Sequence, residues 1–167
     1  MTERKDHPFI PGFDELLYDH DSDIKWDQCD ISTLSFKKLL KEGWVRRAVR
    51  LSSTREHPKL SGEGIITAFH GTHHSSVTPI IVDGFKTNQI FCSTDCGMAQ
   101  KYAVYRLVGK TPSRKNPMTI LELRIRGSAG KQNQQIFEFN HSPDIHRGQT
   151  CRHNPNIEVV AVWCKHG

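Results

Sequence analysis

His70, Gly71 and Thr72 close a short apolar run made by Ile65, Ile66, Ala68 and Phe69. An imidazole, a residue without a side chain and a hydroxyl at one strand end offer directed hydrogen bonds and close backbone approach. Further on, the stretch 88–103 supplies two rings, Phe91 in the short strand Ile90-Phe91-Cys92 and Tyr102 on the helical pattern that follows. A flat aromatic face is a stacking platform. Near the C-terminus Glu158 opens the apolar run Val159 to Trp163. A carboxylate so placed can stabilise a positive charge that develops in a reaction, or assist removal of a proton. Neither G-x-G-x-x-G nor G-x-x-x-x-G-K-[ST] occurs in the chain, so no glycine-rich phosphate loop is expected.

These residues need elements to hold them. After the triplet, Ser75 or Ser76 can cap a helix with Val77, Ile80 and Ile81 on one face, which stops at Gly84 before Phe85. Ser93 or Thr94 can cap the next helix, Asp95 suits its first turn, and Met98, Tyr102 and Tyr105 recur at i, i+4 and i+7. Thr119 to Arg126 alternates as a strand, and Gln135 to Phe139 and Glu158 to Cys164 read as two more. Upstream, a helical turn is expected over Phe13 to Tyr18 and a helix over Thr33 to Glu42, with Leu34 and Leu40, before Gly43. Residues 44–53 fit a strand or a helix equally, and 53–64 is a turn-rich connector. Strands dominate after residue 64 with two helices inserted early, an α+β pattern. The expected division is an N-terminal extension, 1–60, and a main domain, 61–167.

The His70-Gly71-Thr72 triplet, the "DGF" at 83–85, the Phe91 strand and the Tyr102 helix together resemble the ADP-ribosyltransferase superfamily, in its poly(ADP-ribose) polymerase-like branch. The resemblance covers about 65–164. It implies a split antiparallel β-sheet core with flanking helices and an NAD-dependent glycosyl transfer that releases nicotinamide. It implies that His70, Gly71, Thr72, Phe91 and Tyr102 hold NAD, with His70 on a ribose hydroxyl, the Gly71 backbone bracketing the carboxamide and Tyr102 stacked on nicotinamide. His70 and Glu158 are the catalytic residues on this view. Two positions depart from the family: Phe91 stands where it has Tyr, and Ala99 where many members carry Ser. A rival alignment of the strand "QQIFEFN" puts Gln135 in the catalytic position instead of Glu158. A Gln there can bind ribose but cannot act as a charged base.

Composition narrows the class. At 167 residues with net charge +5 the chain fits one ordinary domain plus an extension. No apolar run approaches the about 18 residues of a membrane span. Five cysteines, an odd number, and a charged N-terminal stretch without a signal core favour a reducing cytoplasm or nucleus. Residues 13–30 hold seven Asp/Glu, and residues 101–131 hold eight Lys/Arg against Glu122. A basic rim admits an anionic acceptor, yet it equally attracts NAD's pyrophosphate, and a solvated face is the simpler reading. The expected partners are NAD and a protein or nucleic-acid acceptor, with no membrane and a monomeric chain.

Other clusters have plainer readings beside the chemical ones. His73 and His74 are exposed helix-start histidines or acceptor contacts. Cys151-x-His153 and Cys164-x-His166 could supply four zinc ligands, although the spacing is unlike the usual C-x₂₋₄-C, and no metal is expected. Cys92 and Cys96 read as packing thiols, and Trp26, Trp44 and Trp163 as core or edge aromatics. Two other functions compete with ADP-ribosyl transfer: a non-catalytic NAD or ADP-ribose binding module on the same fold, and an NAD-dependent RNA 2′-phosphotransferase.

Overall fold

The computed structural model describes residues 17–18, 31–49, 60–141 and 153–166. These form a mixed α+β fold around one antiparallel sheet. Its strands are β1 (Leu17–Tyr18), β2 (Val45–Val49), β3 (Ile65–His73), β4 (Gln89–Ser93), β5 (Met118–Arg126), β6 (Lys131–Asn133), β7 (Ile136–Asn140) and β8 (Ile157–Lys165). Their order across the sheet is β1-β2-β8-β5-β3-β4-β7-β6. Three helices accompany it: α1 (Ile31–Lys41), α2 (Val77–Asp83) and α3 (Cys96–Tyr105). No helix among the described residues is long and apolar enough to cross a membrane.

Strand β5 is central, and Ile120, Leu121, Leu123 and Ile125 are all wholly buried. A strand covered on both faces needs apolar residues at successive positions, which explains why its outward-reading Glu122 is buried too. Alternate residues feed two clusters. Leu121, Leu123 and Ile125 meet Val77, Ile80 and Ile81 of the α2 segment and Ile90, Phe137 and Phe139 of β4 and β7. Ile120, Phe69 and Trp163 pack on the other side against Phe36 and Leu39 of α1 and Ala99 and Ala103 of α3. Glu122 falls within this second layer, where Arg46 grips it through two hydrogen bonds of 2.8 and 2.9 Å. The Trp163 indole donates a third at 2.8 Å, and Phe36 stacks on Trp163 with ring centroids 5.8 Å apart.

Several expectations change. The segment after Trp44 is a strand, β2, paired with β8 from Val45↔Cys164 to Ala48↔Ala161. With α1 also in the core, residues 31–49 are part of the main fold, so the division at residue 60 does not hold. Tyr18 lies in β1 opposite Ala48, where a helical turn was expected; residues 13–16 lie outside the described residues. Helix α1 buries Phe36 and Leu39, whereas Leu34 and Leu40 face outward. Strand β3 continues through the triplet to His73, because β5 pairs with it at every position from Ile65↔Arg126 to His73↔Met118.

Helix α3 turns a small-residue face inward: Cys96, Ala99 and Ala103 are buried, while Tyr102 and Tyr105 are exposed. The reason is proximity. A methyl group built on Gly71 would lie 2.3 Å from the Ala99 carbonyl oxygen and 2.7 Å from the Ala103 nitrogen. Strand and helix meet backbone to backbone, which only glycine permits. We therefore expect Gly71→Ala to destabilise the fold by about 1–3 kcal/mol or more, the scale of overpacking. Urea unfolding measures it, and unchanged stability would contradict this contact.

Candidate active site

Strands β3 and β4 pair at a single position, Phe69↔Ser93, and then diverge. Beyond that bridge the sheet opens into a cleft of about 830 Å³, within the range of roughly 300–1,000 Å³ typical of ligand sites. One wall is the end of β3, with His70, Gly71, Thr72 and His73, and α3 adds Met98, Ala99 and Tyr102, with Arg106 at its C-cap. The floor is one face of the three-stranded half-sheet. Gln89, Phe91 and Ser93 of β4 face the cleft with Ile136 and Glu138 of β7 and Lys131 and Asn133 of β6. The intervening residues Ile90, Phe137 and Phe139 point to the core. Alternation along the strands thus largely separates lining from packing, with Cys92 touching both the core and the cleft.

The structure brings five of the sequence-predicted residues together: His70, Gly71, Thr72, Phe91 and Tyr102 all line this cleft. Tyr102 is 53% exposed and Phe91 47%, so two rings stand open in a concavity. His70 is fixed from two sides. Its Nδ1 bonds the Phe91 carbonyl across the split, and its ring meets Phe85 edge-on with centroids 5.5 Å apart. A carbonyl only accepts, so Nδ1 carries the proton. Nε2, without a partner among the described residues, then presents a lone pair to a hydroxyl.

Burial pushes His70 below its ordinary 6.5; the Phe91 carbonyl draws it partly back, and the Arg106 charge lowers it further. The imidazole is therefore neutral at pH 7. Three cations line the cleft, Lys86, Arg106 and Lys131, against one carboxylate, Glu138. The basic stretch 101–131 contributes only two of these, because Arg124 and Arg126 project outward from β5.

Glu158 lies elsewhere. It is buried in β8, where its Oε1 accepts the Leu60 N–H at 2.7 Å, and β5 and β3 intervene between it and the cleft. Glu158, expected as a catalytic residue, thus does not line this cleft; it satisfies a backbone donor in the interior. Gln135 is no better placed. It belongs to the two-residue turn joining β6 to β7, is exposed, and does not line the cleft. Glu138 was overlooked, although the flanking core residues Phe137 and Phe139 imply that it faces away from the interior.

Neighbouring groups hold the site in place. Neither Ser75 nor Ser76 caps α2 through its side chain; instead His73 Nδ1 accepts the Ser75 N–H at 3.1 Å, beginning a short 3₁₀ turn over His74–Ser76. Asp95 is the cap of α3, its Oδ1 accepting the Gly97 N–H at 2.9 Å, while Ser93 accepts the Asp95 N–H. The buried His141 donates from Nε2 to the Phe85 carbonyl at 2.8 Å, with Asn154 donating to its Nδ1 at 3.3 Å. That relay fixes the ring on which His70 rests.

Cys92 and Cys96 are buried, and burial raises both thiols, Cys92 to about 12, which favours packing over nucleophilic roles. Cys164 is likewise pushed to about 12, and His153 Nε2 bonds the Val82 carbonyl at 3.1 Å. Cys151 and Trp26 lie outside the described residues, and Trp44 and Trp163 are in the core. No protein-family model matches the chain, and no curated protein matches it significantly.

The depressed His70 value links stability to pH. Below 6.5 the unfolded chain takes up a proton that the folded imidazole refuses, so stability falls as pH drops from 6.5 towards the folded value. His73 is also lowered, by burial and then by His74 and Lys110, and contributes in the same direction. Urea unfolding at pH 7.5 and 5.5 should give wild type a larger acid loss than His70→Gln, which lacks the His70 share. Equal losses would place the His70 proton outside this account.

Proposed function

We propose that the cleft binds NAD and that the chain is an ADP-ribosyltransferase of the poly(ADP-ribose) polymerase-like type, with the split sheet as that fold's core. The observation that carries this reading is the convergence of His70, Gly71, Phe91 and Tyr102, from three separate elements, on one cleft. Sequence proximity alone cannot account for it, since Gly71 and Tyr102 are 31 positions apart.

Each group then has a task. Nicotinamide stacks on Tyr102, with its carboxamide against the Gly71 backbone. The His70 Nε2 lone pair accepts a hydrogen bond from a ribose hydroxyl. Lys86, Arg106 and Lys131 supply positive charge for the pyrophosphate, a role that needs no glycine-rich loop. Ala99 offers no hydroxyl to the carboxamide, so the backbone of Gly71 carries more of its orientation. Loss of nicotinamide leaves positive charge on the ribose, which an acceptor from a protein or nucleic acid then quenches.

Incubation with NAD and measurement of nicotinamide release tests the activity, because water serves where no acceptor is supplied. Tyr102→Phe should bind NAD about as wild type does. Tyr102→Ala should weaken binding roughly tenfold, as loss of stacking and its buried area implies. Calorimetric titration reads both. Absence of NAD binding by wild type would overturn the reading, and binding without any release would leave a non-catalytic module.

A further inference from the structure

We propose that Glu138 is the catalytic carboxylate of this cleft, an inference that rests on the NAD-dependent transfer proposed above. The rival alignment puts Gln135 in the catalytic position, and the fold consigns Gln135 to a turn. The charge comes instead from three residues further along. Glu138 stands opposite Phe91 on one side and Lys131 on the other, in register across β4, β7 and β6. Residues opposite each other in antiparallel strands are about 4.5–5.5 Å apart at Cα and share a face. Phe91, Glu138 and Lys131 accordingly form one row across the cleft floor, and all three line it.

The His70 imidazole reaches the same row from β3 through the Phe91 carbonyl. His70 and Glu138 both line this cleft, so a ribose hydroxyl held by His70 shares the cavity with the carboxylate. Glu138 is half-buried, and among the described residues no cation lies within ion-pair distance and no donor bonds its carboxylate. Lys131 faces it in register without closing a salt bridge, leaving the carboxylate for a ligand. It is also the only carboxylate lining the cleft among the described residues.

The step balances without a redox partner. The bond between ribose C1′ and the nicotinamide nitrogen breaks, and its electron pair returns to the ring, discharging the pyridinium. The Glu138 carboxylate faces the cationic ribose that results. An acceptor hydroxyl, or water, gives its lone pair to C1′, and its proton passes to the carboxylate and then to solvent. Charge on Glu138 matters most once the ribose is cationic, so it acts on turnover more than on binding.

Glu138→Gln retains shape and removes the charge. With folding checked by thermal unfolding, NAD affinity by calorimetry and nicotinamide release by chromatography, we expect release to fall on the order of 100-fold or more while Kd stays within about threefold. Glu138→Asp, which restores the charge on a shorter stem, should recover part of the lost rate. If wild type releases nicotinamide and Glu138→Gln releases it equally fast, the assignment of Glu138 is overturned while the transferase reading stands. If the variant loses binding and turnover together, Glu138 is a binding residue and the catalytic assignment fails. If wild type binds no NAD, or binds it and releases nothing, the transferase reading falls and the assignment falls with it.

Discussion

The Phe69↔Ser93 bridge is where the two parts of the sheet touch, and everything about the cleft follows from there being one bridge and not five. On the far side of β3, nine register pairs with β5 leave no freedom. On the near side β4 parts from β3 beyond Phe69, and the edge of β3 faces a concavity. The His70 imidazole spans the gap that backbone pairing leaves, donating to the Phe91 carbonyl. A side chain thus replaces the next rung of the ladder, and its second nitrogen is free for a ligand. The opening is stable because each half is separately braced.

The brace on the larger half is polar at its centre. Glu122, with Arg46 and Trp163 on its two oxygens, is buried between α1 and the sheet. A carboxylate there is tolerable only when fully hydrogen-bonded. Three groups from β2, β5 and β8 meet these conditions together, which locks the register of the three strands. On α3 the brace is steric: Gly71 lets helix and strand approach to backbone contact, and that contact sets how far Tyr102 stands from His70.

Local signals were legible where chemistry and periodicity coincide. The apolar run before His70, the stop at Gly84 with its positive φ of 98°, the alternation of β5 and the helix carrying Tyr102 could all be read along the chain. Four of the five cleft-lining residues named from the sequence lie in or directly after those segments, and Phe91 lies in the short strand β4. What failed depended on partners far away in sequence. Glu158 resembles a cleft carboxylate until Leu60, 98 positions earlier, is seen to claim it. Residues 44–49 fit two structures because Arg46 and Arg47 break the apolar pattern, and only Glu122 explains why Arg46 is inside. The inward face of α3, Cys96, Ala99 and Ala103, is not marked by any run of large apolar residues, because the contact with Gly71 admits only small ones. Glu138 was readable in parity from Phe137 and Phe139, but its neighbour Phe91 was not, since β4 and β7 lie over forty positions apart.

The hairpin turn at Gln134–Gln135 has a consequence for how this chain tolerates change. Gln134 adopts a left-handed φ of 58°, a conformation that glycine or asparagine takes more readily. The two residues of that turn fix the register of β6 against β7, and so set Lys131 opposite Glu138, while the β4 pairing holds the facing of β7 itself. One residue inserted in the turn shifts β6 alone; one inserted within β7 inverts everything downstream of it. Phe139 would then meet solvent and a polar neighbour the core. The boundary between the oily interior and the cleft floor is thus held by counting rather than by composition.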